Sequence, residues 1–501
     1  MSFRNRPPSS MAQRRSMKGK IGGYLKRTTM ASLATLAEQF GNMRPYIRAS
    51  ARSSASREAT FPLPKESSTT TNTNDRSSMS CTTITTPIDE GFHQTQQKVA
   101  AMDSWIVCDT TTKTKIDLLS RMPVEILRSI IQCCDYKTVL TLSLVSWHWY
   151  HLSVDNAIWR QLYLGHPEWI PQQQITTSSS SSSSSPWKRH DPSVDYRHVY
   201  NQRFQLERRW VTGDKRMLTI LGHADSIYCV QFDAQKIVTG SRDHTIKCWD
   251  MQGRCVRTLV GHTASVLCLQ YDTHCMVSGS SDHSVLVWDM HTFRPIQRLL
   301  GHTSGVLDVA LDDSIIASCS KDTTIRLWSR QETRHLRTLL GHRGPVNAIQ
   351  FRGSRLVSAS GDAVIKLWDM NTGQCLRDFV GHTRGLACIR FDGKRIVSGS
   401  NDFKIKVWDA ETGQCLQTLT GHTGLVRALH FDQDRVVSGS YDQSIRVWDI
   451  NTGALLHHFE DCHSSWVFDV TFDKTKIIST SQDQKILIMD FAYNLDTRHI
   501  I

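Results

Sequence analysis

Residues Gly421–Asp449 read GHTGLVRALHFDQDRVVSGSYDQSIRVWD, and the same unit occurs seven times in the chain. Its histidines are His223, His262, His302, His342, His382, His422 and His463. Twenty residues after each stands an aspartate: Asp243, Asp282, Asp322, Asp362, Asp402, Asp442 and Asp483. Six residues further on comes Trp249, Trp288, Trp328, Trp368, Trp408 or Trp448, and only the seventh copy differs, with Met489. Every change in length, from 13 to 15 residues, falls between the tryptophan and the next histidine. A constant core with variable joints marks stacked structural units, because only the joint can absorb an insertion.

Inside each copy, strand-like runs such as Arg435-Val436-Val437-Ser438 and Ser444–Trp448 flank turn residues around Tyr441-Asp442. The unit resembles the WD repeat over roughly Arg216–Asp490, which implies an all-β, seven-bladed WD40 β-propeller built from four-stranded blades. The resemblance further implies strands ordered d-a-b-c, with the His in the d–a turn and the Asp in the b–c turn, at one end of the blade. A strand-b hydroxyl (Ser438 in the quoted copy) and the strand-c Trp would complete a network. His, Ser and Asp also make hydrolase triads, but an enzyme needs one such site and a scaffold needs one per blade. The last copy stops after its third strand, Lys485–Asp490. Arg216–Ile220 precedes the first Gly-His as Cys255–Leu259 precedes the second, so it can supply the missing strand and close the ring without a free edge.

The chain has 501 residues and a formal charge of +12. Residues 1–60 hold twelve Lys/Arg against Glu38 and Glu58, so the rest carries only about +2. The basic character belongs to a tail rather than to a folded nucleic-acid face. Fourteen cysteines are scattered without ligand spacing, which points to neither a disulfide framework nor a metal and places the protein in cytoplasm and/or nucleus. No run of 18 apolar residues spans a membrane. No cofactor motif is present: there is no nucleotide loop and no unique nucleophile.

Residues 1–100 are rich in Ser, Thr and Arg and are expected to be a disordered tail. Tyr24–Phe40 has Leu33, Leu36 and Phe40 at helical spacing, read either as a transient helix or as a docking or homodimer-forming one. The acid-poor start shares its composition with organellar transit peptides, though the downstream domains point elsewhere. Residues 116–163 follow, in which Pro123 fits the first turn of a helix and Ile126, Leu127, Ile130 and Ile131 form an apolar face. A second helix is predicted over Lys137–Ser143 and a third from about Val145 to Leu152. This segment resembles an F-box through Met122–Leu127, Val145-Ser146 with Trp149, and Trp159–Leu162. The resemblance implies docking to a Skp-type adaptor and, through it, a cullin–RING ubiquitin ligase. Pro123, Ile126, Leu127, Ile130 and Val145 are the candidate contacts, and plain core is the competing reading of the same residues. Residues 164–215 form a linker with the unbroken serine run Ser178–Ser185 and a helix marked by Tyr196, Val199, Tyr200 and Phe204. Whether the serine run bulges from this spacer or severs it stays open.

If strand a lines the channel, the residues three and five after each His, and the residue before each Asp, ring one mouth. These 21 positions hold Arg242, Lys321 and Arg427 and no acidic residue; the positions two after each His add Arg384 and Asp225. Guanidinium forks suit phosphate oxygens, so a phosphorylated peptide fits such a mouth, against the alternative of an ordinary solvated rim. Blade by blade the chain is similar to the β-transducin-repeat F-box proteins (the β-TrCP group), through stretches such as Ile227-Tyr228-Cys229, Ser320-Lys321-Asp322, Ser358–Asp362, Arg384–Cys388 and Leu425-Val426-Arg427. That group reads Asp-pSer-Gly-Φ-x-pSer. By the resemblance Tyr228, Arg242, Ser265 and Ser281 would hold the first phosphate, and Arg384 with the Gly385 amide the second. Arg427 and Tyr441 would face the aspartate, with Leu307, Asn347 and Leu425 against the glycine and apolar residue; Lys321, Gly361 and Ala387 complete the set. Two positions depart: Asn401 stands where the group has Ser, and Trp466 where it has Arg. The expected function is a non-catalytic substrate receptor of a Skp–cullin–F-box (SCF) ubiquitin ligase. The alternatives are a sulfur-metabolism-type F-box regulator with a different degron and a WD-repeat scaffold.

Overall fold

A computed structural model describes residues 122–166, 169 and 194–499. The tail with its Tyr24–Phe40 patch, and the serine run, lie outside the described residues.

Four short helices come first. α1 (Val124–Ile131) starts at Pro123, whose fixed φ suits a helix start, and buries Leu127 and Ile131 one turn apart. α2 (Tyr136–Leu142), α3 (Trp147–Ser153) and α4 (Asn156–Leu164) are capped by Asp135, Ser146 and Asp155, each accepting a first-turn amide. α4 is an element that the sequence reading did not separate from the F-box tail. The Trp159 indole donates to the Ser153 carbonyl at 2.7 Å and so locks α4 onto α3.

α5 (Tyr196–Thr212) is a 17-residue spacer, about 25 Å long. Asp195 caps its start, and Gly213 ends it in the left-handed region (φ 74°) with His457 packed where a side chain would stand. At its first turns Tyr200 and Phe204 pack against Tyr136, and Tyr200 against Trp159. At its last turn Trp210 stacks on Phe491 at 4.0 Å and donates to the Lys474 carbonyl at 2.8 Å. Arg209 donates to the carbonyls of Phe491 and Tyr493, and Glu207 pairs with Arg435 at 2.7 Å. One hydrophobic core therefore runs from Leu127 through Leu206 and Trp210 to Val470 and Met489. α5 itself is unbroken over Tyr196–Thr212, and Asn156 of α4 donates to the Val194 carbonyl and accepts the Tyr196 amide.

Seven four-stranded antiparallel sheets follow. In the first, strands a to d are Ile227–Phe232, Lys236–Ser241, Thr245–Asp250 and Cys255–Val260. Strand b is buried along its length in every blade because it is sandwiched between neighbouring sheets, whereas strand d is mostly exposed. The expected closure is present: Arg216–Ile220 pairs antiparallel with Ile486–Asp490, Leu218 opposite Ile488, and serves as strand d of blade 7. The seven a strands surround a channel of about 780 Å³. Side chains there latch neighbouring blades: Gln231, Gln270 and Gln350 accept amides of Tyr271, Leu311 and Phe391, while Asp308 and Asp469 accept those of Ile349 and Val230.

Candidate functional site

Each blade is pinned by the same chain of polar groups. In blade 6, His422 Nδ1 lies 2.7 Å from Asp442, His422 Nε2 lies 2.8 Å from Ser438 Oγ, and the Trp448 indole donates to that Oγ at 2.9 Å. An indole only donates and a carboxylate only accepts, so a neutral imidazole with its proton on Nδ1 satisfies every group. Burial holds His422 below the ordinary histidine range, with Asp442 only partly offsetting it, in keeping with that neutral ring. Burial pushes Asp243 up, but hydrogen bonds from Thr245, His223 and the Ala224 amide outweigh it and hold the carboxyl down to about 2. Blade 7 keeps His463, Asp483 and Ser479, with Met489 buried in place of the indole.

The network sets the mouth. The aspartate fixes the b–c turn, and the residue before it donates its amide to the carbonyl three residues after the histidine. Arg242 pairs in this way with Ser226, Lys321 with Gly305, Gly361 with Pro345, Asn401 with Gly385 and Tyr441 with Leu425, all at 2.8–3.0 Å. The residue five after each histidine sits in a β-bulge of strand a. Register skips at Tyr228, Leu267, Leu307, Asn347, Ala387, Arg427 and Phe468. A bulge re-aims its extra residue, and all seven line the channel. The two turn rows and the bulge row thus meet at one end of the ring.

At that end the side chains fall out as follows. Arg242 is exposed, its Nε 3.7 Å from Asp225, and its charge acts on the Tyr228 phenol, which burial raises on balance. The Ser281 amide is bonded to the Ser265 carbonyl at 3.0 Å, which places both serines on the neighbouring blade. Lys321 and Arg384 enter no ion pair among the described residues, and Arg384 lies 5.8 Å from the ring centre of Phe403. Gly385 is backed against Gly361: a Cβ there would come within 2.9 Å of the Gly361 carbonyl oxygen. Its amide has no acceptor among the described residues. Asn347 and Arg427 are tied to blade 5, donating to the carbonyls of Leu386 and Ala387. Leu307 and Leu425 are half-buried. The sequence reading missed an aromatic arc, in which Tyr441 stacks on Trp466 and Phe468 bridges Tyr441 and Tyr228. Its members sit on three different blades, so no local pattern shows it.

The second surface is on the first three helices. Ile126 (49 % exposed) and Val145 (58 %) face outward with Pro123, Val124, Leu144 and Trp147, and Ile130 is half-buried beside them. For Leu127 the core reading fits the packing: at 0 % exposure it lies with Ile131, because the helix face one residue on from Ile126 and Ile130 is the one turned inward. α5 reaches the propeller at Lys474, in an a–b turn, and Phe491, just past a strand c. These lie at the end opposite the d–a and b–c turns, so the mouth points away from the helices. Among the described residues no helix is long and apolar enough to cross a membrane, and no His/Cys/Asp/Glu cluster could hold a metal ion.

A family model described as "WD domain, G-beta repeat" matches residues 214–250, 253–289, 293–329, 333–369, 373–409 and 413–449, and an "F-box-like" model matches 119–165. The chain is 27% identical over 156 residues to "Probable E3 ubiquitin ligase complex SCF subunit sconB" of Arthroderma otae, covering 28% of this chain and 23% of that one. It is 28% identical over 177 residues to an F-box protein of Saccharomyces cerevisiae, covering 31% and 26%. It is 33% identical over 149 residues to "F-box/WD repeat-containing protein 7" of Drosophila melanogaster, covering 28% and 11%. The matches thus span about a quarter or less of those relatives' length. Fold, repeats and relatives agree: the chain joins an F-box-like helical segment to a seven-bladed WD40 propeller and is homologous to F-box subunits of SCF ubiquitin ligases.

Proposed function

We propose that the chain is the non-catalytic substrate-recognition subunit of an SCF-type ubiquitin ligase, working in cytoplasm or nucleus and selecting phosphorylated proteins at the propeller mouth. One observation carries this: Arg242, Lys321 and Arg384 lie exposed on the face turned away from the F-box-like helices, and one unbroken core joins the two. The outward face around Ile126 and Val145 would dock a Skp-type adaptor and so a cullin–RING module. The propeller would hold the phosphorylated segment while a recruited E2 transfers ubiquitin to a substrate lysine. Positioning is the whole mechanism, and a rigid spacer is what it requires. Planar guanidinium groups meet phosphate oxygens two at a time, and such charge-assisted bonds are the strong ones. The Tyr228, Arg242, Ser265 and Ser281 sector would take the first phosphate, and Arg384 with the Gly385 amide the second.

A second reading, an F-box receptor with a different degron, is favoured by Asn401 and Trp466. Asn401 sits beside Gly385 at the second-phosphate end, Trp466 stacks on Tyr441 of blade 6, and neither adds a charge. A WD-repeat scaffold would differ from both in failing to co-purify with adaptor and cullin. The deciding experiment is binding of the adaptor complex to one Asp-Ser-Gly-Leu-x-Ser peptide in unphosphorylated, singly and doubly phosphorylated forms. The first phosphate is expected to tighten binding by about 100-fold, roughly 2.7 kcal/mol. Equal binding of all three forms would overturn the phosphate assignment and leave the ligase role to the adaptor test.

A further inference from the structure

The phosphate-binding role leaves Trp466 unused. This residue stands in the d–a turn of blade 7, three after His463, and is 44 % exposed. It is nevertheless ordered by a neighbour: its ring lies on Tyr441 of blade 6 with centroids 4.6 Å apart and planes within 5° of parallel. One face of the indole is covered in this way and the exposure falls on the other. Phe468 supports the pair from below, edge-on to Tyr441 at 5.9 Å and against Tyr228 of blade 1 at 4.9 Å. The result is a firm aromatic ledge across three blades, at the same mouth as the arginines. Large rings anchored in this way are the usual high-value contacts of a binding face, since little conformational freedom remains to be lost.

The surrounding charge narrows what the ledge can hold. A ring face attracts cations or stacks a second ring; at the far end of the same arc, Arg242 and Arg427 act on Tyr228, with Asp225 the carboxylate opposing them there. A lysine or arginine of the ligand would meet that positive field, whereas an aromatic side chain would not. We propose that the free face of Trp466 receives an aromatic side chain of the bound segment. The ligand is then a phosphorylated motif carrying Phe, Tyr or Trp at a fixed spacing from its phosphate. This rests on the phosphopeptide role proposed above.

The test uses the full chain with its adaptor and a set of peptides with a constant Asp-pSer-Gly core. A single Phe is moved through the flanking positions against a Ser background, with Leu and Lys compared at the best position. At one position Phe should tighten binding about tenfold, Leu less and Lys not at all. Trp466→Ser should reduce that gain to under about twofold without altering the effect of the phosphate, and Trp466→Phe should keep most of it. No gain at any position, an equal gain with Lys, or a gain that survives Trp466→Ser overturns the ledge. A Phe gain that needs Trp466 but not the phosphate keeps the ledge and overturns the phosphate role. Failure of every peptide to bind overturns both.

Discussion

The side-chain carbonyl of Asn156 accepts the Tyr196 amide at 2.7 Å, across forty residues of chain. Its amide nitrogen reaches the Val194 carbonyl at 2.8 Å, so one side chain closes the two ends of the serine-bearing segment. Removing Ser178–Ser185 should therefore shift stability by only a few tenths of a kcal/mol, since closure entropy changes slowly with loop length. Asn156→Ala should cost roughly 1–3 kcal/mol, because it strands both backbone groups. Thermal melts of the two variants check the contrast.

Arg242→Ala should weaken binding of a singly phosphorylated peptide by at least about tenfold, the loss of one charge-assisted interaction of roughly 1.5–3 kcal/mol. Its circular dichroism and melting temperature should match the wild type, since the side chain is exposed and its Asp225 contact is long. Wild-type binding by the folded variant would remove this residue from the site.

On the helical face, neighbouring residues should behave in opposite ways. Ile126→Glu is expected to abolish adaptor co-purification with little change in melting temperature, because Ile126 is half exposed. Leu127→Ala is expected to destabilise by about 2–5 kcal/mol, as a cavity in a closed core does. Adaptor pull-downs and denaturation curves on both variants separate docking from packing.

Ser438 Oγ bonds His422 and accepts from the Trp448 indole, with a longer contact to the Arg446 carbonyl, whereas Ser479 bonds His463 and has no indole partner. Ser438→Ala should therefore destabilise the propeller by about 1 kcal/mol more than Ser479→Ala, the cost of a second buried group left unpaired. Equal losses in urea denaturation would mean that the indole bond contributes nothing.

Acid should unfold the propeller in two stages. Six repeat histidines, His223 to His422, are held below 6.5 by burial, so the unfolded chain binds protons first and stability declines as pH falls below about 6.5. The seven repeat aspartates lie below their ordinary value of 3.8, so their contribution is lost only as pH falls from about 3.8 towards 2. Asp308 acts in the opposite sense: burial raises it to about 6, so it opposes folding progressively as pH rises from 3.8 to 6. Melting temperature against pH should show the two declines, and a profile that rises as pH falls from 7 to 4 would contradict neutral repeat histidines.

Much of this was legible in the sequence because the repeat carries its own ruler. Constant spacing from His422 to Asp442 to Trp448 gives the blade, and the orphan run Arg216–Ile220 gives the closure. The mouth rows followed from the same spacing, and the bulge at positions such as Arg427 explains why they converge. What was illegible depended on contacts between units. Ile126, Leu127, Ile130 and Ile131 are all apolar, and only the packing of α1 on α3 decides which pair is covered. Trp466 and Tyr441 lie in different repeats and meet only when the blades stand side by side, as do Gln231 and Tyr271 in the channel.

The docking of α5 has a consequence in time. Trp210 is bonded to Lys474 across 264 residues, and Arg209 to Tyr493 across 284. The strand that completes blade 7, Arg216–Ile220, likewise waits for Ile486–Asp490. At ordinary rates of translation the partners leave the ribosome roughly 15–50 s apart. During that interval the helical segment exists without a fixed orientation, and the spacer gains its direction only when the last blade arrives. A nascent or truncated chain would carry its helices without aiming them, so the order of synthesis itself fixes when the helical face and the propeller mouth gain a set geometry.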